Sequence, residues 1–293
     1  MTKDFEDAST TAKRIYSRYG VLGKLVKNPL VVVGGFILVM MAFIGIFAPY
    51  LNTVDPGQID PSIRLRPPSS ENWFGTDAYG RDIYSRVIYG ARISLFVGLS
   101  VAFISILTGL TIGVVSGYIR WLDAIAMRVM DGLMAIPGVL LAIALISLSG
   151  ASLTTVIVAI TIPEIPRVVR LVRGIVLSIR EEPYVEAAVG LGTRLHLLMI
   201  RHVIPNTFAP LMVQGTYTCA SAILLESILS FLGAGISPEI PTWGNIIAEG
   251  RIYFQLLPNM ILFPGLMLSI AVLAVNLLGD GLRDILDPRM ERV

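Results

Sequence analysis

The sequence predicts an all-α, polytopic integral membrane protein with six transmembrane helices. Three observations carry that expectation. Hydrophobic residues make up 54% of the 293-residue chain and charged residues only 15%, where a soluble protein carries about 25% charged residues. Long charge-free runs recur along the chain, each able to supply the roughly 20 apolar residues of one span. Lys and Arg segregate between the loops that join those runs. The mean hydropathy of +0.74 excludes a disordered, collagen-like or ordinary soluble chain. One cysteine, Cys219, excludes an internal disulfide. Two histidines, His196 and His202, are too few for most zinc sites. A net charge of +2 says little about partners, and no nucleic-acid partner is expected.

The elements follow in order. Residues 1–28 are charged and form an N-terminal segment, and residues 29–49 are a charge-free first span. No small-residue cleavage site follows that run, so it is expected to be retained in the chain. Residues 50–92 are expected to form an external loop. It begins with turn-forming stretches at Asp55-Pro56-Gly57 and Pro67-Pro68-Ser69-Ser70. Ile83, Tyr84, Val87, Ile88 and Ala91 then recur at helical spacing. They predict a short interfacial helix, serving either as a lid over the bundle or as a partner-docking element.

Residues 93–280 are the core, which opens with a second span at 93–119. The next charge-free run, 132–163, has 32 residues and would reach about 48 Å as a helix. That is too long for one span and slightly short for two. Ser149-Gly150-Ala151-Ser152 reads as a turn inside it, and two spans fit if the second continues past Glu164 toward Val172. Pro137 predicts a bend in the third span, and Glu164, between Pro163 and Pro166, is expected to pair with Arg167. Residues 207–234 and 257–279 complete the set, and residues 281–293 are a C-terminal tail. With the N-terminus inside, six spans place seventeen of the 23 Lys and Arg residues in the cytoplasm and six outside. A five-span arrangement would give nine and fourteen, against the usual excess of positive charge inside.

Residues 174–206 then fall in the cytoplasm. Glu181-Glu182-Pro183 suits a helix start, Gly190 and Gly192 interrupt, and a second short helix is expected to end at Pro205-Asn206. Such a loop adds nothing to packing within lipid and is expected to meet a soluble partner. No G-x-x-x-x-G-K-[ST] phosphate loop occurs, so this chain does not hold ATP in that way.

Here the residues carry a resemblance. Glu186-Ala187-Ala188, Gly192 and Ile204-Pro205 resemble the E-A-A motif of ABC importer permeases, with its spacing complete. His202 stands where that pattern usually has Ile, and Ile204 where it has Leu. Phe74-Gly75-Thr76-Asp77, Gly80-Arg81-Asp82 and Tyr89-Gly90-Ala91-Arg92 look like the segment before the second span of dipeptide/oligopeptide permeases of the C type. Leu229-Ser230-Phe231-Leu232-Gly233, Thr242-Trp243-Gly244 and Gly279-Asp280-Gly281-Leu282-Arg283-Asp284 resemble later signatures of that group. The resemblance implies a type I ABC importer permease fold in the bacterial inner membrane. It implies a second homologous permease, two ABC ATPases that bind ATP and Mg, and a soluble solute-binding protein. The chain itself would hold no cofactor and would not be an enzyme. Di- or oligopeptides are the implied cargo, in a group that also carries glutathione and nickel. Glu186, Ala187, Ala188, Gly192, Ile204 and Pro205 would couple to the ATPases, with polar contacts of Glu186 holding the loop's shape.

Glu226 is an ionisable residue within the fifth span, and it shares a helix face with Gly215, Cys219 and Ala222. With Gln214 and Thr218 it either lines the pathway or belongs to a packing face with a satisfied carboxylate. The same residues leave two further function classes open. A membrane-embedded enzyme would use Glu164 or Glu226 as acid or base. A proton-coupled secondary transporter would use Glu226 as its relay.

Overall fold

The computed structural model describes residues 18–286. Among them are helices and turns, one isolated bridge between Thr76 and Asp82, and no strand. The helices are α1 (Arg18–Lys27), α2 (Pro29–Ile46), α3 (Ile83–Tyr118), α4 (Arg120–Ala135), α5 (Gly138–Ser149) and α6 (Leu153–Arg180). They continue as α7 (Pro183–Gly190), α8 (Leu195–Leu198), α9 (Ile204–Phe231), α10 (Trp243–Gly250) and α11 (Asn259–Leu286). The outermost parts of the expected N-terminal segment and C-terminal tail lie outside the described residues.

α2, α3, α11 and the continuous run Leu195–Phe231 are each long and apolar enough to cross a membrane. α4 and α5 qualify together as one pair bent by 91°. By apolarity the described residues therefore offer four to five spans, against the six expected. The difference is α6. At 28 residues it reaches about 42 Å, but it contains Glu164, Arg167, Arg170 and Arg173. Each arginine has an acidic partner in the chain: Arg167 with Glu164, Arg170 with Asp131 in an exposed pair, and Arg173 with Asp123.

Packing fixes the direction of the helices. Gly109, Gly113 and Gly117 on α3 face Val168, Val172 and Val176 on α6. A Cβ on any of the three glycines would come within 2.7 Å of valine side-chain carbon, so glycine is what lets the two backbones close up. Both series ascend together, so α3 and α6 run parallel and α4–α5 returns between them. At the other side, Gly34 of α2 meets Ala274 and Leu278 of α11, while Gly281 meets Val31. That pair is antiparallel. The bundle consequently has one end built from residues 181–203 and an opposite end built from 47–82 and 232–258.

Two expectations need correction. The interfacial helix over 81–92 is not a separate element, because α3 runs unbroken from Ile83 to Tyr118. Its apolar positions Ile83, Val87, Ile88 and Ala91 are buried in protein rather than laid on a membrane surface. Asp82 caps the start, accepting from the Ser85 N–H at 2.8 Å and from its hydroxyl at 2.6 Å. Pro205 likewise does not end a helix. A π-turn over Met199–Val203 leads straight into α9, and Pro205 sits in the first turn, where no N–H is required of it.

The last helix, α11, runs across residue 280 to Leu286. Ser152 caps α6 after the turn at Gly150, Pro137 lies in the break between α4 and α5, and α6 continues well past Glu164.

Candidate functional site

The loop at 181–205 follows from its capping residues. Glu181 closes α6, Glu182 is extended, and Pro183 occupies the first turn of α7. Pro lacks the N–H that such a position leaves unbonded, so the helix starts there at no cost. α7 ends in a tight reversal. The Leu191 N–H donates to the Ala187 carbonyl at 3.0 Å, Gly192 to Val189 at 2.9 Å and Thr193 to Ala188 at 3.1 Å. Gly192 holds φ +81° with open space where a Cβ would stand. Glycine is required here by backbone conformation and not by crowding.

Three aliphatic side chains seat the loop on the bundle. Val185, Leu198 and Val203 are buried in one cluster with Val114, Val176, Ile179 and Leu211. The residues of the E-A-A pattern face outward from that seat. Glu186, Ala187, Gly192 and Pro205 are exposed, while Ala188 and Ile204 are half-buried against the cluster. Among the described residues nothing bonds the Glu186 carboxylate. The loop's shape is held by aliphatic packing and backbone turns, not by Glu186 as expected. Val189, Leu197 and Ile200 of the loop are exposed, and Leu191 is 87% exposed, beside the exposed charged residues Glu182, Arg194 and Arg201. His196 is exposed, and the His202 ring lies 5.9 Å from that of Tyr184.

The polar residues of α9 divide into three places. Glu226 is wholly buried near the opposite end of the bundle. Its Oε1 accepts from the Ser230 hydroxyl at 2.8 Å and the Thr242 hydroxyl at 2.9 Å. Thr242 in turn caps α10 by accepting from the Asn245 N–H at 3.1 Å. Glu226 thus ties α10 to α9. On the same face Gly215 meets Ile106 and Cys219 meets Gly98, both on α3. Gln214 and Thr218 sit nearer the loop end. Gln214 donates to the Thr218 hydroxyl at 3.4 Å, and it lines an open cavity of about 370 Å³ with Leu171, Pro210 and Arg283.

The third place joins Glu164 and Arg167 to groups that the sequence did not connect with them. Glu164 of α6 is buried, and Arg167 Nη1 donates to its oxygens at 3.1 and 3.3 Å. The Ser221 hydroxyl of α9 donates to Glu164 Oε1 at 3.1 Å. The Arg167 guanidinium stands 5.9 Å from the Tyr217 ring centroid. This group borders a cavity of about 320 Å³ at the α4–α5 break, with Ile136, Pro137 and Gly138 in its wall. The Glu164–Arg167 pair was legible from spacing. Ser221, 57 residues away, and the cavity were not.

A second ionic group closes the end opposite the loop. Arg81 Nε lies 2.6 Å from Asp77, and Arg81 Nη2 lies 2.6 Å from Glu249 of α10. The fully buried Arg86 reaches Glu249 at 3.2 Å. Trp243 Nε1 donates to the Val87 carbonyl at 3.1 Å.

A bundle of long apolar helices whose few interior charges are ion-paired, as Glu164 and Arg86 are, or bonded by hydroxyls, as Glu226 is, is a multi-pass membrane protein. The family described as binding-protein-dependent transport system inner membrane component matches residues 105–292, and the N-terminal TM domain of oligopeptide transport permease C matches residues 20–68. The chain belongs to this family of transport-system inner membrane components. It is 55% identical to a probable peptide ABC transporter permease of Sinorhizobium fredii, over 91% of each chain. It is 42% identical to a dipeptide transport system permease of Alkalihalophilus pseudofirmus, over 92% of this chain and 88% of that one. It is 37% identical to a glutathione transport system permease of Pectobacterium atrosepticum, over 92% and 90%. Among solved structures, an inward-facing MetNI methionine ABC transporter is similar at TM-score 0.49 and 19% identity, covering 66% of this chain and 94% of that one.

Proposed function

We propose that this chain is one of two homologous permease subunits of an ATP-driven importer of short peptides. Two ATPase subunits would hold ATP and Mg and seat against the 181–205 loop. A soluble binding protein would deliver cargo to the opposite end. The observation that carries the reading is the relationship, across nine-tenths of the chain, to permeases named for peptides and dipeptides.

The loop geometry supports the coupling role. Its exposed apolar residues, Leu191 above all, offer a surface to a soluble partner, and its aliphatic seat on α6 and α9 would pass a push on to both helices. A short helix that moves as a body with a closing partner is rigid-body coupling between two states. The charge bias of the sequence supports six spans, with the loop and both termini on the cytoplasmic side. Glu226 acts as a packing residue that fastens α10. A carboxylate sealed from solvent, with one oxygen bonded by two hydroxyls and the other without a partner, supports packing over proton relay.

The test is reconstitution in liposomes with the partner permease, both ATPases and the binding protein. ATP-dependent accumulation of a labelled dipeptide is expected, with none when either ATPase is omitted. Uptake driven by a pH gradient without ATPases overturns the proposal. For topology, an impermeant thiol reagent should label Ser69→Cys from outside and leave Arg194→Cys unlabelled. Outside labelling at Arg194→Cys refutes the orientation.

A further inference from the structure

We infer that Arg167, braced by Glu164, is a binding subsite inside the bundle for the carboxylate of the cargo. The inference rests on the peptide reading above and adds to it the chemical group that the permease itself recognises.

Position comes first. Arg167 stands fourteen residues into the 28-residue α6, about 21 Å from the start of that helix and toward the loop end of the span. A guanidinium within a span is costly unless it faces a partner or a watery cavity. Arg167 has both. Nη1 alone holds the Glu164 carboxylate, while the side chain as a whole remains 46% exposed. The remaining N–H groups of the fork are left for another acceptor.

The bracing group is asymmetric. Glu164 is 5% exposed in its side chain and receives a second hydrogen bond from Ser221. It is fixed between two helices, so it positions Arg167 rather than competing for a passing solute. An arginine fork presents paired donors that match a carboxylate. Tyr217, exposed on α9, offers its ring to the same guanidinium at 5.9 Å.

The third observation is the wall opposite. α4 and α5 are bent by 91° at Ile136-Pro137, and both residues have extended backbone. Irregular backbone at membrane depth survives only where it is buried in protein or lines a cavity. Here it lines one of about 320 Å³ that Glu164 and Arg167 share. A broken helix facing a braced cation is the arrangement expected of a solute subsite.

The experiment uses the full reconstituted complex. Maximal uptake rates are compared for dialanine and dialanine amide, each at a concentration that saturates the binding protein. In the wild type the free acid should move about tenfold faster, the size of one charge-assisted hydrogen bond. Arg167→Gln should bring the ratio close to one, and Arg167→Lys should restore part of it. A wild-type ratio near one, or an unchanged ratio in Arg167→Gln, overturns the inference while leaving peptide transport standing. Wild-type complex that moves neither dipeptide refutes the peptide reading instead. A labelling measurement then still decides the subsite. Arg167→Cys in the assembled complex should react with an anionic methanethiosulfonate, whereas the wild type, whose Cys219 is buried, should not. An unreactive Arg167→Cys would mean that the position is sealed against the partner permease, and the subsite would be refuted even if Arg167→Gln proved too unstable to purify.

Discussion

The two ends of the bundle are built on different physical terms. At one end α10 is locked to α3 and α9 by Trp243, by the Glu226 hydroxyl bonds and by the Arg81–Glu249 and Arg86–Glu249 pairs. At the other, residues 183–198 make no ion pair or side-chain hydrogen bond among the described residues, and Val185, Leu198 and Val203 hold them by aliphatic contact. Directional bonds fix one arrangement, and each buried polar group that loses its partner is penalised. Aliphatic contact is non-directional, so the loop can shift as a unit without leaving such a group exposed to that penalty. The contrast fits the proposal that the rigid end receives cargo and the lightly held end carries the coupling movement.

The comparison can be broken at its strongest point first. Trp243→Ala removes a fully buried side chain and should cost roughly 3–5 kcal/mol. The yield of folded complex should collapse and its melting temperature should fall. A near-wild-type melting temperature would mean that α10 is not locked.

Glu226→Ala should cost about 1–3 kcal/mol, because the Ser230 and Thr242 hydroxyls lose their acceptor. Glu226→Gln keeps an acceptor and should stay closer to wild type in melting temperature and in uptake. If Glu226→Gln abolished uptake in a fully stable complex, the packing role would fall and pathway lining would return.

The smallest structural effect is expected at Leu191→Ser. An exposed residue away from any special feature should change stability by no more than about 0.5 kcal/mol. ATPase association, measured by co-purification, should nevertheless weaken severalfold. Unchanged association would show that the apolar surface of the loop is not the contact.

Much of this was legible in the sequence because it is local. The turn at Gly150, the break at Pro137, the start at Pro183 and the Glu164–Arg167 pair each rest on a few neighbouring residues. The interruption at Gly192 is legible from the spacing of one loop, and its positive φ is observed there. What was missed depends on distant partners. α3 reads as two pieces because hydropathy cannot distinguish a face buried in protein, as at Ile83 and Val87, from one laid on lipid. Glu226 had two open readings because Thr242 lies sixteen residues on, across a chain reversal. Arg81 and Arg86 gave no sign of Glu249, which is 168 and 163 residues away. Pro205 signals a helix end by composition, but the π-turn before it supplies a first-turn position instead.

The central claim is that the lightly held loop transmits ATPase closure to the spans, and Gly192→Val tests it most directly. At φ +81° a residue with a Cβ costs about 1–2 kcal/mol, and a β-branched one is the least suited. No span is touched, so the chain should insert and assemble with its partner permease. In liposomes with both ATPases, the partner permease and the binding protein, peptide uptake should fall about tenfold or more, and cargo-stimulated ATP hydrolysis should fall with it. Wild-type uptake and wild-type stimulation in Gly192→Val, together with the same result in Glu186→Ala, would contradict the account.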